Sequence, residues 1–93
     1  MRTIYKYPLP QNGLMTQIRA PILKVLTVQM QNGVPCLWAE VETNNTNKVV
    51  ELYYYGTGWN LDDLFFEMNL NLTYLSTIQD GPLVWHYYYK IVG

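Results

Sequence analysis

Charge is scarce in this sequence. Only 14% of its 93 residues are charged, well below the roughly 25% of an average soluble domain. The six basic residues, Arg2, Lys6, Arg19, Lys24, Lys48 and Lys90, are scattered along the chain against seven acidic ones. No basic stripe is therefore present to release counterions from duplex DNA. The acidic residues form no long run, which excludes an acidic mimic of nucleic acid. Cysteine is reduced to Cys36, which rules out an internal disulfide or a thiolate cluster within one chain and fits a reducing cytosol. His86 is the sole histidine, and there is no HExxH, no CxxC and no second imidazole to build a metal site. No apolar run is long enough to span a bilayer, and the start, Met1 to Tyr7, lacks the apolar stretch of a secretion signal. These absences predict a binding protein rather than an enzyme, with no cofactor or metal and no membrane contact.

What the chain does hold is apolar and aromatic. Apolar residues make up 49% and rings 15%, with nine Tyr and three Trp against two Phe, so most rings carry a polar handle suited to half-wet interfaces. A single domain of this length buries only about 60–65% of the surface its unfolded chain exposes. A thin core, little charge and surplus Tyr predict leftover apolar surface covered by a second copy, hence a homo-oligomer.

The strand pattern is regular. Asn32-Gly33 lies between β-prone runs and predicts a two-residue type I′ hairpin. Pairing Gln31 with Val34 then sets Met30 opposite Pro35, Val28 opposite Leu37, Leu26 opposite Ala39 and Lys24 opposite Val41 on a nearly all-apolar face. Gln29 with Cys36, Thr27 with Trp38 and Val25 with Glu40 fall on the other. A second hairpin is expected about Asp80-Gly81. It places Ile78, Ser76, Tyr74 and Leu72 with Leu83, Trp85, Tyr87 and Tyr89 on a core face, and Thr77, Leu75 and Thr73 with Val84, His86 and Tyr88 on the other. Residues 48–55, 2–7 and 14–19 read as further strands. Leu61, Leu64, Phe65 and Met68 recur at helical spacing after Asn60, a candidate N-cap, and predict a short helix over 61–68. About seven strands and one helix in one domain predict a mainly β fold, an antiparallel sandwich or a partly open barrel.

Few residues invite chemistry. Gly56-Thr57-Gly58-Trp59 can bring backbone amides, a hydroxyl and an indole to a phosphate and its base, but it lacks the Walker lysine and the third glycine of a dinucleotide fingerprint, so on motif grounds alone a tight strand-to-helix turn explains it better. Asp62 and Asp63, adjacent on a helix, point about 100° apart and cannot clamp one atom together. Tyr53-Tyr54-Tyr55 and Tyr87-Tyr88-Tyr89 put rings on both faces of their strands, as cross-strand stabilisers or as a contact surface. Trp38 stands among polar neighbours on its hairpin. The candidate ligand-binding set is Trp38, Tyr55, Thr57, Trp59, His86 and Tyr88, and the candidate subunit patch joins Trp38 with Tyr53, Tyr55 and Tyr88.

The segments Ile4-Tyr5-Lys6-Tyr7-Pro8-Leu9, Val28 to Ala39 (VQMQNGVPCLWA), Tyr55-Gly56-Thr57-Gly58 and Gly81 to His86 (GPLVWH) resemble a family of small phage and prophage proteins with a KYPL start, a VQxQxGxPCLWA block, a YGTG turn and a closing LVxH strand. The likeness covers most of the chain. It departs between Trp59 and Asn71, where such proteins carry a Pro-containing loop and this sequence reads as helical. The family brings no activity with it, but its setting implies an accessory protein made in the host cytoplasm during infection. The expected function is capture of a bacterial immune nucleotide signal, of cyclic-nucleotide or ADP-ribose type, without catalysis. The alternatives are an inhibitor that binds a host defence protein directly and a structural phage protein.

Overall fold

The computed structural model describes residues 1–10, 13, 15–62 and 71–93. Seven strands form: β1 (Arg2–Pro8), β2 (Met15–Ala20), β3 (Ile22–Gln31), β4 (Val34–Glu42), β5 (Lys48–Gly56), β6 (Thr73–Asp80) and β7 (Leu83–Val92). They pair antiparallel in a three-stranded sheet, β1-β4-β3, and a four-stranded sheet, β2-β5-β7-β6. The two sheets remain separate and make a compact sandwich, so of the two architectures expected the barrel is excluded. The helix expected over 61–68 falls almost wholly outside the described residues. No helix among the described residues is long and apolar enough to cross a membrane.

The Asn32-Gly33 hairpin forms as its residues dictate. Asn32 takes φ 52° and Gly33 φ 80°, the left-handed pair that a type I′ loop requires and that a β-branched residue resists. Gln31–Val34, Met30–Pro35, Val28–Leu37 and Thr27–Trp38 pair as expected. Beyond Thr27 the expected register fails, because β3 is irregular between Val25 and Thr27 and again between Ile22 and Lys24. Val25, not Leu26, meets Ala39, and Ile22, not Lys24, meets Val41. The reason is burial: strict alternation would carry the Lys24 ammonium into the core, at a cost no ion pair offsets. The bulges instead bring Ile22, Val25 and Val28 inward at every third position, where they are 1%, 7% and 0% exposed.

The second hairpin is corrected in the same way. Its loop is Gly81-Pro82, with Asp80 paired to Leu83. The proline, which has no N–H to give a ladder, thereby sits in the turn behind Gly81 at φ 60°. Ile78–Trp85 and Ser76–Tyr87 keep their expected face, but a register shift between Tyr74 and Ser76 sets Tyr74 opposite Tyr88. Tyr74 thus moves to the outer face and Leu75, half-buried, packs against the core, which puts an aliphatic chain where a phenol was expected.

Leu37, Ala39, Val41, Val50, Leu52 and Tyr87 fill the space between the sheets. One side of the sandwich is stitched where edge strands β3 and β6 meet. The Ser76 hydroxyl, buried there, accepts the Val28 backbone N–H at 2.9 Å and lies 3.0 Å from the Thr27 hydroxyl. An edge donor that no strand pairs is satisfied by a side chain from the other sheet.

Candidate functional site

Strand β5 carries Tyr54 inward and Tyr53 and Tyr55 outward, and its pairing with β7 sets Tyr55 beside His86 and Tyr53 beside Tyr88. On the outer face of the four-stranded sheet Tyr88 receives ring edges from Tyr55 at 5.9 Å and from Tyr74 at 5.6 Å. Tyr55 is only 3% exposed although it lies on this face, and burial, with Tyr88 beside it, pushes its phenol up. Tyr53 is raised by burial and then by the Glu51 carboxylate it donates to at 3.2 Å. Glu51 is held below the usual carboxylate range, first by the Gln17 amide at 2.9 Å and further by Tyr53 and by Lys90 at 3.6 Å.

His86 is bonded at both ring nitrogens. Thr57 Oγ1 lies 2.7 Å from Nε2 and Thr77 Oγ1 lies 3.0 Å from Nδ1. Thr77 is bonded in turn to the Tyr74 hydroxyl at 2.6 Å. Both partners of the imidazole are neutral hydroxyls, so this array orients hydrogen bonds and supplies no carboxylate to prime the ring as a base. Among the described residues no group of His, Cys, Asp and Glu could hold a metal ion.

At the end of the same sheet the chain turns after β5, with the Trp59 N–H bonded to Gly56 C=O at 3.2 Å. The Trp59 indole folds back onto Gly56, where an added Cβ would stand 2.6 Å from its Nε1; only glycine admits that approach. Trp59 meets Trp85 edge-on at 5.7 Å, and Trp85 meets the core ring of Tyr54 at 5.1 Å. Between these indoles opens a cleft of about 290 Å³ lined by Gly56, Thr57, Trp59, Pro82, Leu83, Val84 and Trp85. Trp59 keeps 45% of its surface exposed, and the Trp85 Nε1 is buried without a hydrogen-bond partner among the described residues. A larger hollow of about 440 Å³ lies along Arg2, Thr3, Ile4 and Glu40 on β1 and β4. Its two charges answer each other at 3.4 Å, and it has no ring pair.

Of the six sequence-predicted ligand residues, Tyr55, Thr57, His86 and Tyr88 come together on one face, and Trp59 adjoins them across Gly56. Trp38 does not join them. It lies in the other sheet, between Lys6 and Thr27, on the side opposite the buried Leu37 and Ala39. The expected patch of Trp38 with Tyr53, Tyr55 and Tyr88 is therefore not one surface, because β4 and β5 belong to different sheets. Sequence reasoning missed Trp85, assigned wholly to the core, and missed Thr77 and Tyr74. The signal for Trp85 was its place beside the hairpin loop, where a strand end leaves a core-facing ring at the rim.

A family model described as a domain of unknown function (DUF7352) matches residues 1–92. No curated protein and no solved structure matches the chain.

Proposed function

This chain belongs to the DUF7352 family, and from the geometry of its cleft we propose that it captures a nucleotide-like ligand without turning it over. One observation carries the reading: a rim tryptophan and a deeper one flank a cleft that Thr57 also lines, and the deeper indole has a buried N–H with no partner among the described residues. A base stacks on an exposed indole, with about 1–3 kcal/mol per base from stacking, and an orphaned donor is a standing cost that a ligand acceptor relieves. At about 290 Å³ the cleft stands at the small end of ligand pockets, roughly 300–1,000 Å³. It suits one nucleotide, so a cyclic dinucleotide or an ADP-ribose would span two copies of the chain.

In this reading the protein works in the host cytoplasm during phage infection and removes an immune signal by holding it. Calorimetry against a panel of cyclic nucleotides, ADP-ribose and mononucleotides, followed by heat release, tests it. Saturable binding and recovery of the intact ligand are the expected result; no heat with any member of the panel, or a chemically altered ligand, contradicts it.

The second reading, direct inhibition of a host defence protein, has its own observation. Edge strand β1 leaves Ile4 56% and Tyr5 44% exposed, so a partner strand could add there. Recovery of a defence protein through β1, lost on Ile4→Lys, would favour it.

A further inference from the structure

The network around His86 has a direction, and that direction defines the ligand. Each hydroxyl in the series Tyr74, Thr77, Thr57 has one proton, and a neutral imidazole has one N–H. The Tyr74–Thr77 contact is short, 2.6 Å, and either hydroxyl can donate in it; the phenol, the more acidic of the two, is assigned as the donor. With Thr77 accepting from Tyr74, its own proton is free to go to His86 Nδ1 across 3.0 Å, the arrangement in which every proton finds an acceptor along the series. The imidazole then carries its proton on Nε2 and donates it to Thr57 Oγ1 across 2.7 Å. All three bonds run the same way, each polarising the next. The Thr57 proton is left over at the end of the chain, and Thr57 is the member that lines the cleft; His86 does not line it.

Resting on the cleft reading above, we infer that His86 is a positioning residue, which with Thr77 and Tyr74 turns the Thr57 proton toward an acceptor oxygen of the ligand, and that this oxygen belongs to a phosphate. A bare hydroxyl at that place would accept as readily as donate. With one of its two lone pairs taken by the Nε2 proton, its remaining proton favours a partner that only accepts; a phosphate oxygen does so, whereas a ribose hydroxyl also donates. Trp59, on the other side of Gly56, supplies the ring for the attached base.

The test uses the full chain labelled with nitrogen-15 at histidine, with adenosine 5′-monophosphate and adenosine as probes. In the free protein the His86 nitrogens should show the Nε2–H tautomer; the Nδ1–H tautomer overturns the inference regardless of any ligand. The monophosphate should bind about tenfold more tightly than adenosine, the size of one charge-assisted hydrogen bond. Thr77→Val should shrink that ratio toward one, Thr77→Ser should restore it, and Tyr74→Phe should reduce it less. Equal binding of the two probes, or a ratio unmoved by Thr77→Val, overturns the inference and leaves the cleft reading standing. If neither probe binds and the whole nucleotide panel is also silent, the cleft reading falls and takes the inference with it.

Discussion

The seam between β3 and β6 and the corner at Gly56–Trp59 both bring polar atoms close to the core, and they treat them in opposite ways. At the seam the Val28 N–H and the Ser76 and Thr27 hydroxyls satisfy one another, and Val28 is fully buried. At the corner an indole N–H is buried unpaired, a second indole is left half in solvent, and glycine holds the space between strand and ring. A closed polar pair serves stability. A buried donor left unmet beside an exposed ring, at the wall of a cleft, adds nothing to stability, and under the proposed function its cost is recovered when a ligand reaches it.

Substitutions can break this contrast, beginning with the seam. Ser76→Ala should leave the Val28 N–H buried without an acceptor and destabilise the fold by about 2 kcal/mol, read as a fall in melting temperature of roughly 10 °C, with nucleotide affinity of the folded fraction unchanged. Trp59→Ala should do the reverse, lowering affinity about tenfold through lost stacking and barely moving the melting temperature, since the ring is half exposed. Gly56→Ala should displace the indole without removing it. A several-fold loss of affinity is expected, and Trp59→Ala on top of it should add little, because both changes act on the same ring.

The smallest effect concerns Glu51, remote from both regions. Its carboxyl is held below the ordinary glutamate range, chiefly by the Gln17 amide, so its contribution to stability is fully present above that range and is lost as pH falls through the lower folded value. Urea unfolding of the native chain and of Glu51→Gln should therefore converge as pH drops below about 4.5. A constant difference between them across that range would show that the contacts to Gln17, Tyr53 and Lys90 contribute nothing through charge.

Much of this was legible in the order of residues. Asn32-Gly33 specified its turn and the first pairings because a type I′ loop tolerates few other dipeptides. The seven strands were legible because apolar residues alternate within them. The bulges in β3 and β6 were not. A bulge is decided by which of two faces a particular side chain can enter, and Lys24 and Tyr74 show it only once the opposite sheet is in place. Site residues followed the same division. That Tyr55, His86 and Tyr88 share a face followed from strand parity, and that Thr57 and Trp59 adjoin it followed from a glycine turn, both of them local signals. Trp38 was grouped with them wrongly, since membership of a sheet is a long-range fact. Thr77 was lost because its pairing with His86 depends on a hairpin register that Pro82 shifts, and Tyr74 because an irregularity before Ser76 turns it to the outer face.

The three tryptophans offer the most direct test of the central claim, that the corner between Trp59 and Trp85 is where a nucleotide binds. Each contributes one indole N–H resonance to a proton–nitrogen correlation spectrum. On titration with the nucleotide panel, the Trp59 and Trp85 indole signals should shift together and saturably, Trp85 by the amount a newly made hydrogen bond produces, while Trp38 on the other sheet stays in place. A ligand that binds and moves only the Trp38 signal, or a panel that moves none of the three, would contradict it.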